Sequence, residues 1–242
     1  MEVGDAIERK KAVVIGGSAG IGLAVAKALV NSGAHVVIAS RSSNKLTEAQ
    51  RTIGVNTVAY QLDVTQEERV QQFFEDIGSF DHLVCTAVSG INAPFLEMDT
   101  ADAKAVFKTK FWGQYYAAKH GAPKIRPGGS ITLFSGIASH KPVEGLSAIA
   151  AANGAVEALA RSLAVELGPI RVNTVLPAVI STPQYDRMPD NKRKKYLEDY
   201  GAKLPVKRPG NPDDVAATVL YLILNAHTTG TLAEVNGGYR LV

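Results

Sequence analysis

Short apolar runs rich in β-branched side chains recur along the chain, and each gives way to a segment of helical spacing. Ala12 to Ile15 is the first run, and Ile21 to Val30 follows it with a helical period that ends at Asn31-Ser-Gly33. Comparable runs at His35 to Ala39, Thr57 to Gln61, His82 to Ala87, Ser130 to Phe134 and Arg171 to Leu176 predict further strands, with helices between nearly all of them. These runs are short and mostly apolar, which reads as buried strands with both faces covered. Parallel neighbours also need crossover connections, which the intervening helices supply. The pattern predicts an α/β protein: a three-layer, doubly wound parallel sheet of about seven strands with helices on both faces.

Composition adds limits. With 242 residues, 46% hydrophobic and 20% charged, the chain can bury one sizeable core, which excludes disordered and collagen-like classes. No Ser/Gly-rich linker, repeat or low-complexity tract divides it, so residues 1–242 are expected to form a single domain. Residues 182–209, with four prolines and mixed charge, read as the least regular part and as a substrate-covering insertion. The formal charge is only +3, and the bases are scattered apart from Asn191 to Lys195, which reads as a solvated helix face. Nucleic acid is therefore not an expected partner. Apolar stretches such as Val215 to Leu224 are too short to cross a bilayer, and the acids near the N-terminus do not suit a signal peptide. Cys85 is the only cysteine, so neither an intrachain disulfide nor a cysteine-rich metal site is possible. No metal or membrane is expected, and the cytoplasm is the default location.

The chemistry begins directly after the first predicted strand, at Gly16-Gly-Ser-Ala-Gly20-Ile-Gly22. Glycines there allow a tight turn, close backbone approach to a pyrophosphate and tight packing of helix on strand, while helix N–H groups face the anion. Strand, glycine triplet and helix in that order predict a dinucleotide-binding Rossmann domain. The second strand ends in Ser40-Arg41, where NAD-binding proteins of this architecture carry an acid for the ribose hydroxyls. With that acid absent, Ser40 can admit a 2′-phosphate and Arg41 can pair with it, so the expected cofactor is NADP(H). Asp63-Val64, closing the third strand, is expected to reach the adenine.

The spacing Gly16-x-x-x-Gly20-x-Gly22, Asp63 after the third strand, and Pro177-x-x-x-x-Thr182 after the sixth resemble the short-chain dehydrogenase/reductase family. Arg171-Val-Asn173, Arg208-Pro-Gly-Asn-Pro-Asp-Asp214 and Asn236-Gly-Gly238 extend the resemblance from about Lys11 to Val242. It implies cofactor contacts at Gly16, Ser18, Ile21, Arg41, Asp63, Val64, Ala87, Ile180 and Thr182, alongside the remaining loop glycines Gly20 and Gly22. It also implies a small-molecule substrate and a homotetramer formed through the helices after strands four and five; Phe111, Trp112, Tyr115 and Tyr116 fit such a buried face. The family's four catalytic groups, an asparagine, a serine and a Tyr-x-x-x-Lys pair, fall in register on Lys110, Gly136, Ile149 and Asn153. The usual turn after strand four also reads differently, as Cys85-Thr86-Ala87-Val88. Tyr115-x-x-x-Lys119 matches the pair as a pattern, but it lies about thirty residues too early by that register; the i,i+4 spacing says only that both side chains share a helix face. Ile149, Val156, Leu159, Leu163 and Leu167 form an apolar stripe on which the register's helix would pack.

Hydride transfer is the nicotinamide's own chemistry, and the protein supplies position and electrostatics. Without a tyrosine acid, the expected acceptor is one that needs none. An iminium becomes a neutral amine directly, and an activated carbonyl is the neighbouring case. Glu144 is a candidate counter-charge for an iminium, or a solvated loop residue. Lys110, Ser135 and His140 are candidate replacements for the missing proton machinery, and Asn153 is placed to bond the nicotinamide ribose. The alternative is a cofactor-binding protein without redox turnover: a cyclase, an isomerase, a sensor or a scaffold.

Overall fold

A computed structural model describes residues 7–87 and 91–242. Val88, part of the altered turn after strand four, lies outside the described residues, as does the start of the N-terminal segment. Seven parallel strands form one sheet in the order β3-β2-β1-β4-β5-β6-β7. They are β1 (Lys11–Ile15), β2 (His35–Ser40), β3 (Thr57–Gln61), β4 (Phe80–Cys85), β5 (Ile125–Phe134), β6 (Arg171–Pro177) and β7 (Leu232–Val235). The helices are α1 (Gly20–Asn31), α2 (Ser43–Ile53), α3 (Glu67–Ile77), α4 (Thr100–Phe107), α5 (Gly113–Gly121), α6 (Ser147–Glu166), α7 (Asp190–Lys203) and α8 (Pro212–Leu224). The predicted α/β doubly wound sheet is the one observed. Two buried clusters lie on its two faces, one around Val14, Leu29, Ile38 and Val219, the other around Ile15, Phe74, Leu83 and Ile131.

Where the structure departs from the pattern, local bonding gives the reason. The fourth strand was expected over His82 to Ala87 but ends at Cys85. Just beyond its end, the Thr86 N–H and hydroxyl both donate to the Ile15 carbonyl, at 2.8 and 3.1 Å, and the turn stays tied to β1. Residues 182–209 are more regular than expected, since they contain the fourteen-residue α7. Asn191 to Lys195 does form a solvated helix face, with pairs Lys194–Glu198 and Lys195–Asp199 at i,i+4. The α6 stripe also needs correction. Its fully buried face is Ala152, Asn153, Val156, Glu157 and Ala160, whereas Leu159, Leu163 and Leu167 are only half-buried. Those leucines line a groove of about 400 Å³ with Tyr115, Ala118 and Ile170. At twenty residues, α6 also has the length and composition to cross a bilayer, contrary to the expectation of no such segment. In this fold it packs on β5, β6 and α4.

Candidate active site

The strand order reverses direction at β1 and β4, and in open α/β sheets the crevice beyond that point receives the ligand. Gly16 sits there at φ +88°, where a side chain would meet the Thr86 hydroxyl at 2.4 Å. A side chain on Gly22 would meet the Gly16 carbonyl oxygen at 2.3 Å, so the turn and the start of α1 touch without room for a methyl group. No side chain caps α1, whose N-cap is Ala19, and its first N–H groups are left for an anion. Ser18 and Ile21 are half-buried in this turn. Thr182 lies over it, its Cβ 3.3 Å from where a Gly20 side chain would begin.

At the end of β2, Ser40 Oγ is buried without a hydrogen-bond partner among the described residues, and the next residue, Arg41, is exposed. Asp63 accepts from the Thr65 N–H at 3.0 Å and from its hydroxyl at 2.8 Å. Burial opposes the charge on Asp63, but those bonds and the nearby Arg41 outweigh it and hold the carboxyl below its usual range. Val64 is buried against Gly113. Ala87 follows the Thr86 anchor, and Ile180 is buried and bridges to Gly210.

The other half of the cleft is built where the helical segment after β4 passes the end of β5. Between α4 and α5 the helix widens into a π turn, Lys108–Trp112, which carries Lys110. Gln114 steadies it. Its amide donates to the Lys110 and Phe134 carbonyls, each at 2.8 Å, and its oxygen accepts the Phe134 N–H at 2.8 Å. Lys110 is buried and donates to the Ser135 carbonyl at 2.8 Å. Burial lowers its pKa to about 8, against the opposing influence of Cys85 and Glu157. The buried Cys85 thiol is pushed up to about 12.

Ser135 also donates its hydroxyl to Glu157 Oε1 at 2.5 Å, and Ser139 donates to the same oxygen at 2.5 Å. His140 Nε2 lies 2.8 Å from Glu157 Oε2. Lys110, Ser135 and His140, expected from the sequence, are thus brought together, but around a carboxylate that was not expected. Glu144 is exposed on the loop before α6 and makes no hydrogen bond or ion pair among the described residues, so it is not the acid of this cluster. The signal for Glu157 was present in the sequence: it stands four residues after Asn153 and eight after Ile149, on the same face of α6. Reading that helix as an apolar stripe hid it.

Asn153 is buried and donates to the Gly136 carbonyl at 3.2 Å, while its Oδ1 has no partner among the described residues. Ile149 occupies the first turn of α6. Tyr115 and Lys119 are engaged elsewhere: Tyr115 packs on Phe111, Trp112 and Tyr116, and Lys119 donates to Glu67 on α3 at 2.7 Å. The glycine cradle suits a pyrophosphate, and the buried oxygens of Ser40 and Asn153, without a partner among the described residues, could take sugar hydroxyls, so these residues fit a nicotinamide dinucleotide.

Fold and cleft together define a dinucleotide-binding oxidoreductase class. The family model described as "Enoyl-(Acyl carrier protein) reductase" matches residues 16–240. Short-chain dehydrogenase/reductase ATR9 of Stachybotrys chlorohalonatus is 32% identical over 96% of this chain and 97% of its own length. A small-chain dehydrogenase solved in complex with NADPH is 35% identical with a TM-score of 0.82, covering 97% of this chain and 100% of the other. The MalC Reductase/Diels-Alderase of Malbranchea aurantiaca is 27% identical with a TM-score of 0.92, covering 100% of both chains. The chain belongs to the short-chain dehydrogenase/reductase family of oxidoreductases.

Proposed function

We propose that the protein uses NADP(H) to reduce a small-molecule acceptor that needs no phenolic acid, either an iminium (C=N⁺) or an activated carbonyl. The observation that carries this reading is Ile149. It holds the position that the family register gives to tyrosine, and no tyrosine hydroxyl bonds into the Lys110–Ser135–Glu157 cluster among the described residues. The bound nicotinamide supplies the hydride.

Ser40 and Arg41 favour a 2′-phosphate, since no carboxylate stands at the end of β2 to repel it. Asn153 Oδ1 accepts a ribose hydroxyl, and Thr182 closes over the phosphate turn. Residues 182–209, with α7, cover the acceptor. The solved complex of a relative with NADPH supports the cofactor, and the likeness to a protein named both a reductase and a Diels–Alderase supports reduction over binding alone. The groove between α5 and α6 supports assembly as a homotetramer, and the free buried Cys85 suits a cytoplasmic location.

The test is NADPH oxidation by the purified protein against panels of simple ketones, activated carbonyls and cyclic iminium compounds. Iminium turnover should exceed that of simple ketones by about ten-fold or more, in keeping with the phenolic acid that a simple ketone needs and an iminium does not. Equal rates on both overturn the reading, and so does the absence of NADPH binding by titration.

A further inference from the structure

We propose that Glu157 is the positioning residue of a Glu157–His140 acid–base pair, which offers His140 Nδ1 as the proton donor when the acceptor is a carbonyl. The inference rests on the proposed reductase activity and names the group that serves its carbonyl branch.

The geometry is that of a buried carboxylate holding an imidazole. Glu157 is 5% exposed, and both of its oxygens are engaged, Oε1 by the Ser135 and Ser139 hydroxyls and Oε2 by His140 Nε2. A carboxylate carries no proton to give, so the ring nitrogen facing it must be the donor. The pair thus assigns Nε2–H to the neutral ring and leaves Nδ1 as its open nitrogen. Nδ1 has no partner among the described residues, and the His140 side chain is one-quarter exposed, so protons can reach it from solvent. The ring sits on the turn that follows Gly136, whose carbonyl binds both Ser139 and Asn153. The same carbonyl joins the His140 turn to Asn153, the residue that the family register sets beside the nicotinamide ribose.

The charges around the ring are accounted for element by element. On α6 the facing group is Glu157. On the π turn, Lys110 is held by the Ser135 carbonyl and couples to Glu157 through space. The neighbouring Lys141 is drawn away to the Tyr239 and Val242 carbonyls at the C-terminus. Glu144, on the same loop, is exposed. The carboxylate bonded to the ring is thus its one directly contacting charge among the described residues.

In the carbonyl reaction, hydride reaches the carbonyl carbon, the C=O π pair moves onto oxygen, and that oxygen takes the proton from Nδ1. The imidazolium returns to neutral imidazole with Nε2–H still on Glu157, and solvent restores the proton. Reduction of an iminium makes no use of the pair.

The test joins a structural readout to a kinetic split, using the full-length protein. In side-chain ¹⁵N spectra of His140, with and without NADP⁺, the neutral ring should carry its proton on Nε2, and Glu157→Met should abolish that bias. The serines do not confound this variant, because Ser135 and Ser139 have the Asn153 and Gly136 carbonyls as second acceptors. With an activated ketone, His140→Gln and Glu157→Met should each lower kcat about 100-fold with KM nearly unchanged, and the double variant should be no worse than either. Iminium turnover should stay within about two-fold of the parent, since no proton is transferred. His140→Gln, at a partly exposed site, keeps the test valid should Glu157→Met fold poorly. A wild-type ring protonated on Nδ1, retained ketone kcat in His140→Gln, or equal losses on both acceptor classes would overturn the inference. If no acceptor oxidises NADPH, the proposed reductase activity fails, while the ¹⁵N tautomer still decides whether the pair exists.

Discussion

At Lys110 the desolvation cost of a buried ammonium exceeds the help from its neighbours, and its pKa falls to about 8. An unfolded lysine titrates near about 10.4. Between those values the unfolded chain binds the extra proton, so stability should rise as pH goes from about 8 to about 10. Lys110→Met should lack that rise, which urea midpoints measured in parallel on the two proteins will show. A different balance operates at Ser40 and Arg41, where the strand end carries one positive charge and no acid. Arg41→Ala should weaken NADPH binding about ten-fold by titration and leave NADH nearly unaffected, because the lost partner is the 2′-phosphate. Both residues were legible in the sequence as candidates. The depth at which Lys110 sits was not, since lysine in a helical segment reads equally well as solvated.

Two helix starts show how sequence becomes geometry at the level of elements. The start of α8 is closed by a capping box, in which Asn211 Oδ1 accepts from Asp214 N–H at 2.9 Å and Asp214 Oδ2 accepts from Asn211 N–H at 2.9 Å. Asn211→Ala should cost about 1 kcal/mol, seen as a drop in Tm of about 2–4 °C. The start of α1 has no such cap among the described residues and follows directly on the glycine turn. Gly22→Ala should be far more damaging, since its methyl group would lie 2.3 Å from the Gly16 carbonyl oxygen. The turn must open to admit it, so NADPH binding should be lost even where circular dichroism still shows a folded chain. The strand–glycine–helix order announced this element. The π turn at Lys108–Trp112 was not announced, since it depends on Gln114 bonding to β5, and of α7 only the solvated face Asn191 to Lys195 was, because the helix has little apolar periodicity, with only Gly201 fully buried.

Across the whole molecule, one sheet brings the ends of β1, β2, β4, β5 and β6 to a single crevice. The opposite outcome holds for Tyr115 and Lys119, which match a catalytic pair as a pattern but lie away from the crevice, in the aromatic group and ion pair beside α3. On the outer side, Leu159, Leu163 and Leu167 leave an apolar groove against α5. Light scattering should give four times the chain mass, and Leu163→Glu, which places a charge in that groove, should reduce it to a smaller species without loss of secondary structure.

The sequence by itself determined the layered parallel sheet, the phosphate-binding turn and the missing acid at the end of β2. These are local signals, written in periodicity and in residues a few positions apart. Only the tertiary structure decided which carboxylate gathers Ser135, Ser139 and His140. Ser135, Ser139 and His140 meet Glu157 from 17 to 22 positions away, across the gap between β5 and α6, and Lys110 joins from 25 positions before Ser135. A buried charge is tolerated only where donors converge on it, and that convergence belongs to the packing of elements and not to any one segment.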